Sequence, residues 1–178
     1  IYDDWTDSRV FLLDLCVEAA DTPRQRKSIE VYLDKLLHNE DIEWHTKYYS
    51  EQLTILRYHL LQKFDKKNAE SFLFENRTYP SIRKLLIEKA LHEKKYDKVE
   101  ELALEGEQCD KKRAGLVQQW KGIRFQVYEC NNLTDKMQSL AYELLIGYGL
   151  FEYYKKLMVG VYIVIEIFGK ILFFDMTV

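Results

Sequence analysis

The sequence predicts an all-α protein whose antiparallel helical hairpins stack as a short right-handed α-solenoid. Three observations predict it. Only 2 Pro and 7 Gly punctuate 178 residues, too few breakers for a sandwich or barrel, which needs turn residues about every 8–12 positions. Apolar residues recur at helical spacing through nearly all of residues 7–158. One stretch also matches another 38 residues later, and periods of that size made of two helices belong to solenoid repeats.

A first helix over about 7–20 places Val10, Leu13 and Val17 on one stripe. The run Asp21-Thr22-Pro23-Arg24-Gln25 then ends one helix and opens the next. Thr22 can cap the new first turn, Gln25 can reach back to Thr22, and Pro23 takes the first helical position, where its missing N–H costs nothing. The helix it opens aligns Ile29, Leu33, Leu36 and Leu37. A long helix from about 43 to 64 aligns Tyr49, Leu53, Leu56, Leu60 and Phe64. Further helices are predicted at about 67–76, at 81–94 after Pro80, and at 97–108, 114–130, 134–147 and 150–158. Gly147-Tyr148-Gly149 reads as a helix stop. The connections are short, which makes sequence neighbours antiparallel.

The repeat is seen in Asp97-Lys98-Val99-Glu100-Glu101-Leu102-Ala103 against Asp135-Lys136-Met137-Gln138-Ser139-Leu140-Ala141. Each copy offers an acidic cap with Glu or Gln three residues on, then Leu-Ala where two helices would cross closely. A weaker copy, Ala69–Glu75, precedes Val99–Glu105 by 30 residues. On these residues, the region from about 43 to 158 resembles a tetratricopeptide-type or related α-solenoid, with Lys95–Glu105 resembling the turn and second helix of one repeat. Two departures are plain: Leu91 stands where that pattern wants a small residue, and the closing Pro is absent from both copies. The resemblance implies protein or peptide binding on a curved surface, with no catalytic residues.

Residues 159–178 differ in character, rich in β-branched and aromatic residues around Gly169-Lys170. The run is too short and too charged, with Glu166 and Lys170 inside it, for a membrane span. It is read as an appended β-hairpin, a final helix or a foreign tail. As a helix it would cap the open end over Leu144, Phe151 and Tyr154, with pairing between two copies as the alternative, a homodimer through this segment. The chain opens at Ile1 with no signal segment, which reads as a piece of a longer, non-secreted protein. Three cysteines without close spacing fit a reducing cytoplasm.

For chemistry the sequence offers little. His38, His45, His59 and His92 form no metal-ligand spacing, and no phosphate-cradling glycine pattern occurs. Cys16, amid Leu12, Leu13, Leu15 and Val17, reads as inert core, while Cys109 and Cys130 fall at helix ends, where the dipole disfavours a thiolate. Trp5, beside Asp3, Asp4 and Asp7, reads as a lid on the first helix, with an acidic binding epitope anchored by Trp5 as the alternative. No metal, cofactor or catalytic residue is expected. A net charge of −3 gives no general attraction to nucleic acid or anionic membrane. Basic clusters at Lys66-Lys67, Lys94-Lys95, Lys98 and Lys111-Lys112-Arg113 read as solvated helix ends, with an accessory nucleic-acid rim as the alternative.

The expected function is therefore a non-catalytic helical-repeat module that binds a protein or peptide, within a larger cytoplasmic protein. A helical regulatory region of an enzyme whose active site lies elsewhere is a further alternative. The groove should be lined by the first helix of each hairpin, which nominates Arg57, Tyr58, Lys84, Glu88, Lys121, Arg124 and Gln126 as contacts. Arg124 stands out, because it shares a column with Leu56 and Leu86. It is expected to snorkel at a core edge or to pair with Glu143 or Glu129, since a buried charge needs a partner, or else to anchor a ligand carboxylate. Trp120 starts a stripe with Ile123 and Val127 and is assigned to the core.

Overall fold

A computed structural model describes the backbone at residues 3–37 and 47–158, with side chains at 8–37 and 49–158. The described residues are helical, without a strand. The helices are α1 (Asp3–Ala19), α2 (Pro23–Leu37), α3 (Lys47–Phe64), α4 (Lys66–Glu75), α5 (Pro80–His92), α6 (Tyr96–Cys109), α7 (Ala114–Cys130) and α8 (Thr134–Tyr148). A short α9 follows at 152–158. The side chain of Trp5 and the whole of 159–178, with the cap and dimer expectations placed on it, lie outside the described residues. The chain forms two compact units, 1–86 and 87–178.

In the first unit, α3 is buried from two sides. Its Tyr49, Leu53, Leu56 and Leu60 join Val17, Ala20 and Leu33 from α1 and α2 and the link between them. Its Tyr58 instead joins Ala69, Leu73 and Ile82. Each fully buried aliphatic side chain contributes about 1.5–3 kcal/mol of transfer free energy, so α3 holds this unit together. Cross-pairs give the directions. Arg57 of α3 is ion-paired to Asp34 of α2, and Arg26 of α2 lies over the Phe64 ring, so α2 and α3 are antiparallel. Lys63 donates to the Glu18 carbonyl at 2.7 Å and His59 lies 3.8 Å from Asp14, so α1 and α3 run parallel.

The expected capping box opens α2. Gln25 N–H donates to Thr22 Oγ1 at 3.3 Å, and Thr22 N–H donates to Gln25 Oε1 at 3.0 Å. A different device starts α5: the buried Glu51 of α3 accepts the Ser81 N–H at 2.5 Å, so a neighbouring helix satisfies an otherwise orphaned donor.

In the second unit, α7 packs against both α6 and α8. Glu107–Arg124 and Glu100–Tyr128 pair α6 with α7 in antiparallel register, and Lys121–Glu143 and Tyr128–Lys136 do the same for α7 and α8. Leu102, Ala103, Leu140 and Ala141 are all buried, as the Leu-Ala reading requires. Trp120 is fully buried. A Cβ built on Gly106 would fall 2.8 Å from its ring, so glycine is what lets α6 approach the indole. The Trp120 N–H donates to Asp110 Oδ2 at 2.9 Å.

Two turns of this unit share one backbone design. Lys94 (φ 55°) and Asn132 (φ 54°) are both left-handed. The following residues, Lys95 and Leu133, donate five residues back to Ala90 and Tyr128, at 2.8 and 2.9 Å. This is the Schellman closure, which satisfies last-turn carbonyls, and its two occurrences are 38 residues apart. The closure corrects the capping expectation. It leaves Lys95 and Leu133 at the cap positions, with no side-chain cap bond, and moves Asp97 and Asp135 into the first turn. There they still oppose the positive end of the helix dipole. Gly149 (φ 68°) ends α8 as expected. Lys66 and Lys67 are exposed in the first turn of α4, just past the end of α3.

Candidate functional site

One stripe of α7 holds Lys121, Arg124 and Tyr128, at i, i+3 and i+7. These side chains reach both neighbouring helices. Arg124 Nη1 donates to Glu107 of α6 at 2.7 Å and Nη2 to the Tyr128 hydroxyl at 2.9 Å. That hydroxyl donates to Glu100 Oε1 at 2.6 Å, which also accepts from Lys136 of α8 at 3.4 Å. Lys121, itself buried, is ion-paired to Glu143 of α8 and lies 5.3 Å from the Tyr148 ring centre. The strip thus sets three cations against three anions.

Burial decides how these groups titrate. It opposes the charge on Arg124, but the Glu107 and Tyr128 bonds outweigh it and hold the guanidinium above its ordinary range. Burial also pushes Tyr128 above 10.0, reinforced by its bond to Glu100 and opposed by Arg124. The phenol therefore stays a donor. Inner members are well covered, at 17% exposure for Arg124 and 14% for Glu107, whereas Lys136 and Glu143 are more than half exposed at the rim. Such a surface can exchange its rim ion pairs for those of a docking chain, while its centre stays satisfied.

The predicted contact residues distribute unevenly. Lys121 and Arg124 share the strip; Gln126 is exposed on another side of α7, since two residues turn the helix about 200°. Arg124 is paired with Glu107 and Tyr128, not with Glu143 or Glu129. Those two carboxylates are taken by Lys121 and Lys156 instead. Arg57 is engaged by Asp34 and lies over the Phe72 ring, and Tyr58 is 8% exposed in the core of its unit. Lys84 is half-buried and Glu88 exposed on α5. Sequence reasoning passed over Glu100, Glu107 and Tyr128. The signal was the i+7 spacing of the two glutamates on one face of α6 and the i+4 spacing of Arg124 and Tyr128.

Cys16 is exposed, as are Cys109 and Cys130, and none is in a disulfide. The core assignment of Cys16 is corrected: α1 turns Val10, Leu13 and Val17 inward and leaves Leu12, Leu15 and Cys16 in solvent. Among the described residues no group of His, Cys, Asp or Glu could hold a metal ion, and no helix is long and apolar enough to cross a membrane. The basic turns Lys94-Lys95 and Lys111-Lys112-Arg113 flank opposite ends of α6, roughly 20 Å apart at 1.5 Å per residue. Lys95, Lys98 and Arg113 are already ion-paired, to Glu93, Glu101 and Asp110. No protein-family model, curated protein or solved structure matches the chain.

Proposed function

We propose that this chain is a non-catalytic helical-repeat module that binds a protein or peptide, as part of a larger cytoplasmic protein. The observation that carries the reading is the α6–α7–α8 strip: its centre is satisfied without any ligand, and its half-exposed rim pairs, Lys136–Glu100 and Lys121–Glu143, are open to exchange with a partner's acids and bases. A stack of solenoid hairpins is supported by the antiparallel pairs of α6, α7 and α8, and by the Schellman turn recurring at the 38-residue period of the sequence. The unpaired exposed thiols fit a reducing compartment. The separation of the basic turns weighs against a nucleic-acid rim, which needs a continuous stripe.

Selection from a displayed library of random peptides on the full chain tests this. The expected outcome is enriched peptides, some of which lose about tenfold or more in affinity for Lys136→Glu or Glu143→Lys chains. Failure to enrich any sequence over bare support contradicts the reading. Salt-dependent retention of single-stranded RNA would favour the nucleic-acid alternative.

A further inference from the structure

The α1–α2 hairpin turns an apolar face to solvent that the core of its unit does not use. On α1, Phe11, Leu12 and Leu15 are 62%, 59% and 44% exposed; on α2, Val31 and Tyr32 are about half exposed. Near the link between the helices this face opens into a cleft of about 390 Å³, lined by Cys16, Ala19 and Ala20 from the α1 side and Arg24, Gln25, Ser28 and Ile29 from α2. Cys16 and Ser28 thus oppose each other. Because a three-residue link reverses the chain, one turn further from it sets Leu12 and Leu15 opposite Val31 and Tyr32. The cleft is lined by none of these large side chains; helix spacing places them beyond it, so that cleft and apolar face together offer a groove of the kind that receives a third amphipathic helix.

Charge names the kind of helix. Among the described residues of α1–α2, Glu30 is paired with Arg26, Asp34 with Arg57 and Asp21 with Lys63, while Asp14 lies by His59. The charges without a Lys, Arg or carboxylate partner among these residues are Arg9, Arg24, Lys27 and Lys35 against Asp14 and Glu18, all exposed but Asp14. Arg24, Lys27 and Lys35 flank Ser28, Val31 and Tyr32 at helical spacing, so they border the groove. We propose that the α1–α2 groove is the docking site for an acidic amphipathic helix of a partner protein. Its leucine-like stripe lies along Leu12, Leu15, Val31 and Tyr32, and its carboxylates face Arg24, Lys27 and Lys35. This rests on the reading of the chain as a binding module and specifies the partner's chemistry. A concave cleft with small residues at its mouth favours an inserted helix over a flat lipid surface.

The test uses the full chain and two synthetic helical peptides of one leucine pattern, one with Glu and one with Lys at the polar positions. The Glu peptide should bind at least about tenfold tighter than the Lys peptide, and the Arg24→Glu/Lys27→Glu/Lys35→Glu chain should reverse that order. Leu12→Lys/Leu15→Lys should abolish binding. In a Cys109→Ser/Cys130→Ser background, the Glu peptide should slow alkylation of Cys16 by iodoacetamide. Equal binding of both peptides, binding of neither, or unslowed alkylation overturns the proposal. So does loss, in the same variants, of binding to phosphatidylserine vesicles when the peptide is inert, which would make this a membrane face. Lys136→Glu and Glu143→Lys should leave Glu-peptide binding intact, and enrichment of library peptides on a chain whose groove binds neither helix would overturn this proposal alone, so the two readings fail separately.

Discussion

The α1–α2 and α6–α7 hairpins are built from similar lengths of helix, yet they dispose of their apolar surface in opposite ways. The first leaves Phe11, Leu12, Leu15, Val31 and Tyr32 exposed; the second leaves only Leu104 among its large apolar side chains. Within α6–α7 the fit is close enough that Gly106 meets the Trp120 ring, and Asp110 takes the indole N–H. Its charged groups are likewise consumed, Arg124 by Glu107 and Tyr128 by Glu100. One hairpin is finished by its own chain. The other keeps an apolar face bordered by Arg24, Lys27 and Lys35, an arrangement that suits a docking surface and not a core.

If that contrast holds, the largest loss should come from the finished hairpin. Trp120→Ala removes a fully buried indole and leaves Asp110 without that donor, so it should cost about 3–5 kcal/mol in a urea melt. A loss below about 1 kcal/mol would mean that the indole is not a core anchor. Arg124→Gln should cost less, about 1–3 kcal/mol, because Glu107 and the Tyr128 hydroxyl lose a charged donor in a largely covered strip. In a double-mutant cycle with Glu107→Gln the double variant should lose less stability than the sum of the two single losses; strict additivity would show that the pair contributes nothing.

Tyr128 gives a pH signature. Its folded pKa lies above the unfolded 10.0, through burial first and the Glu100 bond second, so its contribution to stability is complete below pH 10.0 and is lost as pH rises through the folded value. Tyr128→Phe should therefore lose stability at neutral pH and flatten the alkaline decline. Tyr49 and Tyr153 are also raised by burial, so part of the decline should remain. An unchanged alkaline limb in Tyr128→Phe would show that the phenol does not titrate with unfolding.

Much of the fold was legible because helices announce themselves by spacing and punctuation. The Thr22-Pro23-Gln25 box and Gly149 set boundaries by local backbone chemistry alone, and the stripe of Tyr49, Leu53, Leu56 and Leu60 needed only its period. What periodicity does not encode is which polar group meets which across a packed interface. Arg124 was recognised as a buried cation, but its partners lie 17 residues back on α6 and four residues on along α7, where only the packed register of α6 and α7 selects them. The Asp97 and Asp135 caps were misplaced for a related reason: a Schellman turn is closed by backbone groups, and Lys94 and Asn132 in left-handed conformation leave no strong mark in sequence. Cys16 was assigned to the core because α1 is apolar on both sides, and a helix with two apolar faces does not say which one is buried. The candidate site was read less well. Of its nominated residues, Lys121 and Arg124 share a surface, and Tyr58 lies in a core.

The face that α1 turns outward is the point on which the account depends. The most direct measurement is the free energy of unfolding of the Leu12→Lys/Leu15→Lys chain against the wild type, from urea melts at matched protein concentration. Side chains about half exposed or more, with no role in the core, should be replaced at a cost within about 0.5 kcal/mol. A loss of about 2 kcal/mol or more would show that this face is already covered by the protein's own structure, and would contradict the reading of α1–α2 as a surface kept for a partner.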